Sequence, residues 1–412
     1  MFFEIDNIGK VRNSRIEMRG ITVLAGNNNT GKSTFGKSLF SVFNAFSDTE
    51  KTILKERKNN IVEIIRRFTS QKTSRPVSTD KVVNDILNNL DSVPQIWRII
   101  QDNIERQIIV PSNIGNDSAE ILFEKIKFAI AINDEQIQKN ILTRYLYTAF
   151  DEQIAHVNQT DQRASITLTI KSHKLETQIY KNECVNYSDN IGIMHKAFYI
   201  DTPFVLDRVD LRGRYYFYPK YSYQHDLLQS LYETGEENNI IETEIVRQKS
   251  KNVLSFINAV VCGEFRKTEF GLGYQEYGLE KTLAFKNVSA GMKTFLIIKR
   301  LLENAELKER DILIFDEPEI HLHPEWQLEF AKLLVLLQKE LNMTILLTTH
   351  SPYFLNAVEV YSEEQNINDR CNYYLTTDES GYCSARDVTK NIDDIYRLLA
   401  EPFRKLETKR YE

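Results

Sequence analysis

The sequence predicts an α/β fold in which a mixed sheet is flanked by helices and interrupted by helical insertions. Near the N-terminus, a short apolar run at residues 21–25 is followed by apolar residues that recur at helical spacing. In the C-terminal part, apolar runs at 312–315 and 344–347 are separated by an amphipathic helix pattern that begins after Pro324. Short apolar strands that alternate with helices are typical of a sheet whose faces are both covered.

The strand and helix patterns divide the chain into five segments. Strands lead into the first helix, helical patterns then follow, and strand patterns return at 165–170 and 175–180 before a second helical stretch. We therefore predict an N-terminal lobe of the α/β domain at 1–48, a helical insertion at 49–160, further strands of the domain at 161–203, a helical lobe or arm at 204–260 and a C-terminal lobe at 261–412.

Composition limits the classes of protein that the chain can represent. Of the 412 residues, 42% are hydrophobic and 27% are charged, as in a globular protein with a large core. The net charge of −6 gives no general attraction for nucleic acid, so nucleic-acid binding would need a local patch. The four cysteines form no C-x-x-C pair, and no apolar stretch reaches the ~18 residues of a membrane span. We expect a cytoplasmic protein with no membrane partner.

A phosphate-binding loop follows the first apolar run. The pattern G-x-x-x-x-G-K-[ST] is matched by Gly26, Asn27, Asn28, Asn29, Thr30, Gly31, Lys32 and Ser33, with Thr34 continuing into the helix. In such a loop the backbone N–H groups and the helix N-terminus converge on phosphates. Lys32 is then expected to reach the β- and γ-phosphates and Ser33 to offer its hydroxyl to Mg²⁺. The pattern predicts that the chain binds a nucleoside triphosphate with Mg²⁺, the alternative being an accidental match.

Two acids end the apolar run at 312–315 and read as a Walker B motif. A central strand delivers such carboxylates to the carboxyl edge of a parallel sheet. Asp316 would hold Mg²⁺ through water, and Glu317 would polarise the water that attacks the γ-phosphate. A strand followed by an acidic turn is the simpler interpretation of the same residues.

Two further segments resemble motifs of ABC-type ATPases. Ser289 and Gly291 open a helix and resemble the ABC signature in degenerate form, which implies contact with the γ-phosphate bound by the opposite subunit. His350 follows the last apolar strand and resembles the switch histidine, although a lone histidine there is more often structural. The order of phosphate loop, signature, Walker B and histidine is that of the ABC type. It implies an ABC-type P-loop ATPase head with Lys32, Glu317 and His350 as catalytic residues.

The sequences of three segments resemble most closely those of the overcoming-lysogenization-defect (OLD) group and of related bacterial defence ATPases, such as that of the Septu system. These segments are residues 7–10, 316–324 and 349–352. The resemblance covers residues 1–48 and 280–356. It implies heads that form a homodimer or higher oligomer around ATP and Mg²⁺, and a sensor or regulatory role in anti-phage defence that controls a separate effector, a nuclease or toxin.

Two departures from that group affect the interpretation. Only residues 351–412 follow the histidine, which is too short for the C-terminal Toprim nuclease domain of OLD proteins, so we expect no intrinsic nuclease activity. The Q-loop position after the strand at 198–200 reads Asp201, Thr202 and Pro203, without a glutamine. The RecF and structural-maintenance-of-chromosomes (SMC) families also carry a large insertion, so a DNA-binding ATPase in repair or chromosome maintenance stays an alternative, as does an ATP-operated scaffold with scarcely any hydrolysis.

Three other groups of residues carry weaker predictions. His321 and His323 have a spacing that would allow both to bind one metal ion. The alternative is that they shape a turn near a dimer interface. Basic and aromatic residues alternate over 208–223, which suits a partner surface, nucleic acid or simple packing. Arg12 and Arg15 either approach the nucleotide or remain solvated hairpin residues.

Overall fold

The structure is a computed structural model that describes residues 1–69, 76–106, 108–109, 118–208, 218–232, 240–268 and 271–411. It contains two compact units. Residues 1–45 and 142–412 form one unit, which we call the head, and residues 46–141 form the other, which we call the helical unit.

The described strands are β1 (Phe2–Asp6), β2 (Ser14–Glu17), β3 (Ile21–Gly26), β4 (Ala164–Ile170), β5 (His173–Tyr180), β6 (Glu183–Asp189), β7 (Ala197–Ile200), β8 (Gly263–Thr268), β9 (Gly271–Glu276), β10 (Ile312–Asp316), β11 (Thr344–Thr349), β12 (Cys371–Glu379) and β13 (Tyr382–Asp387). The described α-helices are α1 (Lys32–Phe46), α2 (Thr49–Phe68), α3 (Pro76–Leu87), α4 (Val93–Glu105), α5 (Ser118–Ala131), α6 (Asp134–Phe150), α7 (Tyr223–Tyr232), α8 (Ile240–Val260), α9 (Ala290–Glu303), α10 (Pro324–Leu341), α11 (Pro352–Glu364) and α12 (Asp393–Tyr411).

A mixed sheet with the order β13-β12-β3-β11-β10-β7 forms the centre of the head. All neighbours are parallel except β12 and β13. Every residue of β3 is buried, which accounts for its unbroken apolar sequence. The parallel register aligns Asp316 with Thr348 and Thr349 with Ala25, so the carboxyl ends of β3, β10 and β11 meet at one edge. The predicted α/β class with a mixed sheet flanked by helices is confirmed.

An antiparallel sheet with the order β2-β1-β4-β5-β6 forms a second layer of the head. Its strands alternate buried and more exposed residues, as expected of a sheet with one face on a core. The strands β8 and β9 form a separate hairpin. The first two strands therefore belong to a different sheet from β3, although they precede it closely in sequence.

Aromatic packing joins the central sheet to its helices. Phe330 of α10 lies 5.2 Å from Phe315 and 5.4 Å from Phe295, measured between ring centroids, and all three rings are buried. Burying one such ring contributes roughly 1.5–3 kcal/mol. The amphipathic pattern of α10 predicted that this face of the helix is buried. Trp326, also on α10, is only partly buried.

The helical unit has its own apolar core. Side chains of α2, α3, α4 and α5 meet there, including Ile61, Val83, Ile100 and Leu122. Arg57 connects α2 to the C-terminal end of α5. Its guanidinium donates to the carbonyl oxygens of Ile130 and Ile132 at 3.0 and 2.7 Å.

Two predicted segment boundaries differ from the compact units. The helical unit ends at 141 and not at 160, because α6 continues into the head, where Tyr145 donates to Asp226 at 2.9 Å and Thr148 donates to the Tyr221 carbonyl at 2.6 Å. Within the stretch 204–260, predicted to be a helical lobe or arm, the described helices α7 and α8 pack into the head core through side chains such as Leu231 and Ile257.

Among the described residues, no helix combines the length and the apolar character needed to cross a membrane.

Candidate nucleotide-binding site

The loop between β3 and α1 has the backbone shape that its sequence predicts. Asn29 and Gly31 have φ angles of 65° and 82°, in the left-handed region that Asn and Gly enter most easily. Gly26 is required by close approach, because a Cβ there would lie 2.2 Å from Thr376 Oγ1 and 2.4 Å from the Thr376 carbonyl oxygen. Asn27, Asn28 and Asn29 are exposed just before the N-terminus of α1.

Lys32 lies buried at the centre of this loop, with 4% of its surface exposed. Its ammonium donates to the carbonyl oxygens of Asn27 at 2.8 Å and Gly26 at 3.2 Å. Burial lowers the pKa of Lys32, and the carboxylates of Glu317 and Asp316 oppose that shift. The loop thus holds a cation that is only partly compensated by negative charge.

Thr376 of β12 forms hydrogen bonds that hold the phosphate loop in place. Its Oγ1 donates to the Ala25 carbonyl at 3.2 Å and lies 2.6 Å from Thr30 Oγ1. Thr30 Oγ1 in turn lies 2.8 Å from the Asn27 carbonyl. This contact depends on the pairing of β12 with β3, so nothing in the local sequence of the loop indicates it.

Asp316 ends β10 beside the loop and is held on both oxygens. It accepts hydrogen bonds from the hydroxyls of Tyr199 at 2.7 Å and Thr348 at 2.5 Å. Burial and the nearby Asp316 carboxylate raise the pKa of Tyr199, so the phenol keeps the proton that it donates. The sequence predicted Asp316 but neither of its two partners, which lie on the neighbouring strands β7 and β11.

Glu317 adopts a left-handed backbone, with φ 51° and ψ 52°. Its N–H donates to Thr348 Oγ1 at 3.0 Å and to the Thr348 carbonyl at 3.2 Å, which holds this turn in place. A left-handed conformation at a residue other than glycine costs roughly 1–2 kcal/mol. Such local strain is common at functional sites.

His350 comes from β11 and contacts Glu317. Its Nε2 lies 2.8 Å from Glu317 Oε1, an ion-pair distance without the alignment of a good hydrogen bond. Burial, reinforced by the Lys32 ammonium, lowers the pKa of His350 below its ordinary 6.5, and Glu317 opposes the shift. A neutral imidazole at pH 7 is therefore expected beside the carboxylate.

Glu319 is a further residue of the site that sequence reasoning missed. Its Oε1 accepts hydrogen bonds from the Thr349 hydroxyl at 2.6 Å and the His350 N–H at 2.7 Å. The carboxyl is buried, and burial raises the pKa of Glu319 despite these two donors. In the sequence, the position of Glu319 two residues after Glu317 was the only indication that it belongs to the site.

Ser289 and Gly291 lie at the start of α9, which packs against the 3₁₀ segment Pro318–His321 that follows Glu317. Ser289 is the N-cap, since its Oγ accepts the Met292 N–H at 3.4 Å. Gly291 is needed for packing, because a Cβ there would lie 3.2 Å from the His321 carbonyl oxygen and 3.4 Å from Trp326. In the part of the chain that the structure describes, no recorded contact joins either residue to the phosphate loop.

The clustered residues fit a nucleoside triphosphate with Mg²⁺. The N–H groups of the loop that contains the exposed residues 27–29 and the buried Lys32 ammonium would supply the donors and the positive charge that phosphates require. Ser33 and Asp316 would hold the metal ion, since a hydroxyl and a carboxylate are oxygen ligands of the kind that Mg²⁺ prefers. The ion would neutralise charge on the phosphates when bound.

The structure gives His321 and His323 roles in capping and packing. His323 caps α10 by accepting the Glu325 N–H at 3.4 Å, and the His321 ring packs 5.0 Å from Phe204. Among the described residues, no group of three or more His, Cys, Asp or Glu side chains could hold a metal ion. Residues 209–217 of the basic and aromatic stretch lie outside the described residues.

Asp201, Arg12 and Arg15 have other partners in the head. Asp201, at the Q-loop position, accepts a hydrogen bond from Tyr223 at 2.6 Å. Arg12 lies over the Tyr382 ring, with Cζ 5.0 Å from the ring centroid, whereas Arg15 pairs with Glu4 at 3.3 Å.

A phosphate loop with a buried lysine, two acids at the end of β10 and a histidine directly after β11 are the features of a P-loop ATPase head. The family model described as AAA ATPase domain matches residues 1–355. The chain belongs to this AAA ATPase domain family, which implies ATP as the nucleotide.

Among solved structures, the chain is similar at low identity to three SMC heads. The SMC head domain from Thermotoga maritima is 11% identical over 94% of this chain and 98% of that one, with a TM-score of 0.40. An SmcHead bound to the C-winged helix domain of ScpA is 10% identical over 94% and 97%, with a TM-score of 0.45. An Smc head domain with an extended coiled coil, bound to the C-terminal domain of ScpA and derived from Pyrococcus furiosus, is 10% identical over 99% and 98%, with a TM-score of 0.41. We draw no functional conclusion from likenesses this distant.

Proposed function

We propose that the chain hydrolyses ATP slowly between two copies of its head and that this closure regulates a separate effector, a nuclease or toxin, in bacterial anti-phage defence. The contact between Glu317 and His350 at 2.8 Å, beside the buried Lys32, is the observation that carries the proposal. This cluster supplies a base, a γ-phosphate sensor and a phosphate-binding cation within one head.

In this proposal Glu317 takes a proton from the attacking water while Lys32 balances charge on the phosphates. His350, neutral at pH 7, keeps the carboxylate close and free to accept that proton. Glu319 fixes the backbone N–H of His350 and so holds the histidine at the end of β11. The chain's own residues thereby orient the base before any second head arrives.

Dimer formation is supported by the surface around these residues. Ile320, Tyr353 and Phe204 are large apolar side chains with exposed fractions of 64%, 63% and 43%. Ile320 lies three residues after Glu317, and Tyr353 lies three residues after His350. Exposed apolar side chains next to a polar site are typical of protein interfaces. A second head would cover them and bring its own Ser289 and Gly291 to the nucleotide.

The defence role rests on the sequence resemblance of residues 316–324 and 349–352 to bacterial defence ATPases. A phage challenge tests this role. Cells that carry the gene with its neighbouring genes should resist phage, whereas cells with Lys32→Ala should not, and the exposed control Lys55→Ala should keep resistance. Equal plaque numbers with and without the intact operon contradict the defence role.

The isolated protein separates this role from direct DNA handling. ATP turnover that DNA stimulates, with a steep loss of stimulation as salt rises, would favour a DNA-binding ATPase in repair. Turnover that responds only to the protein encoded next to this gene favours the regulatory role.

A further inference from the structure

Tyr199 is a buried tyrosine that reaches a carboxylate of the candidate site from the neighbouring strand. In the parallel register of β7 and β10, Tyr199 lies opposite Ile314, two residues before Asp316. Alternate side chains of a strand share a face, so Ile314 and Asp316 point to the same side of the sheet. The Tyr199 side chain is long enough to span this step along β10, and its hydroxyl donates to Asp316 Oδ2 at 2.7 Å.

A glycine in α1 makes room for this ring. A Cβ at Gly36 would lie 2.7 Å from Tyr199 Cε2 and 2.9 Å from Ile314 Cγ2. Glycine is unfavourable in the interior of a helix, and Gly36 lies in the second turn of α1. Its presence there therefore needs a packing reason, which is the close approach of α1 to the Tyr199 ring.

Two further aromatic side chains fix the position of the ring. Phe40 of α1 lies 6.4 Å from it, and Tyr223 of α7 lies 4.7 Å from it edge-on, measured between ring centroids. The Tyr223 hydroxyl is itself held, because it donates to Asp201 at 2.6 Å. Tyr199 is 1% exposed, so solvent does not compete with Asp316 for its hydroxyl.

The other oxygen of Asp316 is held from the opposite side of β10. Thr348 of β11 donates to Asp316 Oδ1 at 2.5 Å, so the carboxylate lies between donors from the two strands that flank β10. An ionised carboxylate offers about four lone-pair positions, and these two donors use two of them. The others are left to accept hydrogen bonds from water.

We propose that Tyr199 is a positioning residue for metal binding: its hydroxyl fixes the orientation in which Asp316 holds Mg²⁺, and Gly36 is the small residue that this arrangement requires. The inference rests on the proposed function, because it takes Asp316 as a residue that holds the ion. Partners that orient a metal ligand typically contribute roughly 10–100-fold to metal affinity. Neither Tyr199 nor Gly36 belongs to the motifs that predict the site from the sequence.

A purely structural role is the simpler alternative, since any buried phenol requires a hydrogen-bond partner. Tyr145 provides the matched comparison within the head. It is also buried, its ring lies 5.7 Å from that of Phe40, and its hydroxyl donates to the Asp226 carboxylate at 2.9 Å. Asp226 has no assigned role toward the nucleotide or the ion. Removing the Tyr145 hydroxyl therefore measures the effect of losing such a hydrogen bond alone.

Equilibrium binding of ATP to the full chain, measured with Mg²⁺ and again with excess EDTA, tests the proposal. The wild type should bind ATP more tightly with Mg²⁺. Tyr199→Phe removes only the hydroxyl, so the affinity for ATP with Mg²⁺ should fall about 10-fold, whereas the affinity without the metal should stay unchanged. Tyr145→Phe should keep both affinities of the wild type.

Gly36→Ala tests the same contact without removing a polar atom. The added methyl group would press on the Tyr199 ring and displace its hydroxyl from Asp316, so this variant should show the same selective loss with Mg²⁺. Combining Gly36→Ala with Tyr199→Phe should add no further loss, because both changes act through one hydrogen bond.

The outcomes separate the inference from the proposed function. Unchanged binding in Tyr199→Phe, an equal loss with and without Mg²⁺, or the same selective loss in Tyr145→Phe would overturn the positioning role. Summed losses in the double variant would contradict a shared hydrogen bond. A wild type that binds ATP equally well with and without Mg²⁺ would overturn the role of Asp316 in the proposed function, and this inference with it.

Discussion

Glu317 and His350 form the most informative pair of side chains in the head. The carboxylate lies 2.8 Å from the imidazole, and the pKa of His350 is lowered by burial and by Lys32. The left-handed backbone of Glu317 aims this carboxylate from the end of β10, and Thr348 holds the turn. Both features point to a base that is positioned in advance.

Replacing Glu317 tests its role as the base. Glu317→Gln keeps the shape of the side chain but cannot take a proton, so steady-state ATP turnover should fall about 100-fold or more. ATP affinity should change little, because Lys32 and the loop backbone remain. The exposed variant Glu407→Gln is the matched control. Unchanged turnover in Glu317→Gln would mean that hydrolysis is not the working step, as in the scaffold alternative.

The lowered pKa of His350 predicts a pH dependence of stability. Between the folded pKa and 6.5 the unfolded chain binds the proton more readily than the folded chain, so the free energy of unfolding decreases as the pH falls through this window. His350→Gln removes this titration. Urea unfolding at about pH 8 and about pH 5.5 should therefore show a larger loss of stability for the wild type than for the variant. An equal loss would contradict the lowered pKa.

Local motifs made some site residues predictable and left others hidden. Lys32, Ser33, Asp316 and Glu317 belong to contiguous patterns whose spacing alone indicates phosphate and metal chemistry. Tyr199, Thr348 and Thr376 support the same site, but each lies in a strand that shows only an apolar or β-branched pattern. Their contacts depend on strand register, which pairs Asp316 with Thr348 and Gly26 with Thr376.

At the scale of elements, an ion pair with a buried lysine and a partly exposed aspartate links α9 to the segment after β7. Lys293 Nζ lies 2.7 Å from Asp207 Oδ1, and Lys293 is 2% exposed and contacts the Phe204 ring. Asp207 belongs to the 3₁₀ helix Pro203–Arg208, directly after the Q-loop position. The pair thus joins the first turn of α9 to the segment after β7, the strand next to β10.

Removing one partner of this pair should cost more than removing both. Asp207→Ala leaves the Lys293 charge buried, so the free energy of unfolding should fall by about 3 kcal/mol. The double variant Asp207→Ala with Lys293→Met removes both charges and should recover part of that loss. Urea denaturation monitored by circular dichroism measures both. Additive losses in the double variant would contradict a direct interaction.

Element boundaries were less predictable than element types. Periodicity indicated α10, β10 and β11 correctly, because each has a strong local pattern. Helical periodicity over 204–260 predicts a helical lobe or arm, but periodicity does not reveal where the apolar face packs. In the structure that face joins the core of the head, beside α9 and α10.

For the whole molecule, the proposed function divides the candidate site between two places. The phosphate loop, both acids and His350 lie together at the sheet edge, whereas Ser289 begins α9 with its hydroxyl exposed and capping the helix. Family membership and fold follow from one chain, whereas under the proposed function these two surfaces meet only when a second copy binds. The sequence could suggest that meeting only through the order of its motifs.

Mixing two inactive variants tests this division most directly. Lys32→Ala disables the phosphate loop and Ser289→Ala disables the start of α9, so each variant alone should lack turnover. An equal mixture should recover about a quarter of wild-type ATP turnover, because about half of the randomly paired dimers are mixed and each mixed dimer has one intact composite site. A mixture that stays as inactive as either variant, or that regains full wild-type turnover, would contradict a site completed by a second head.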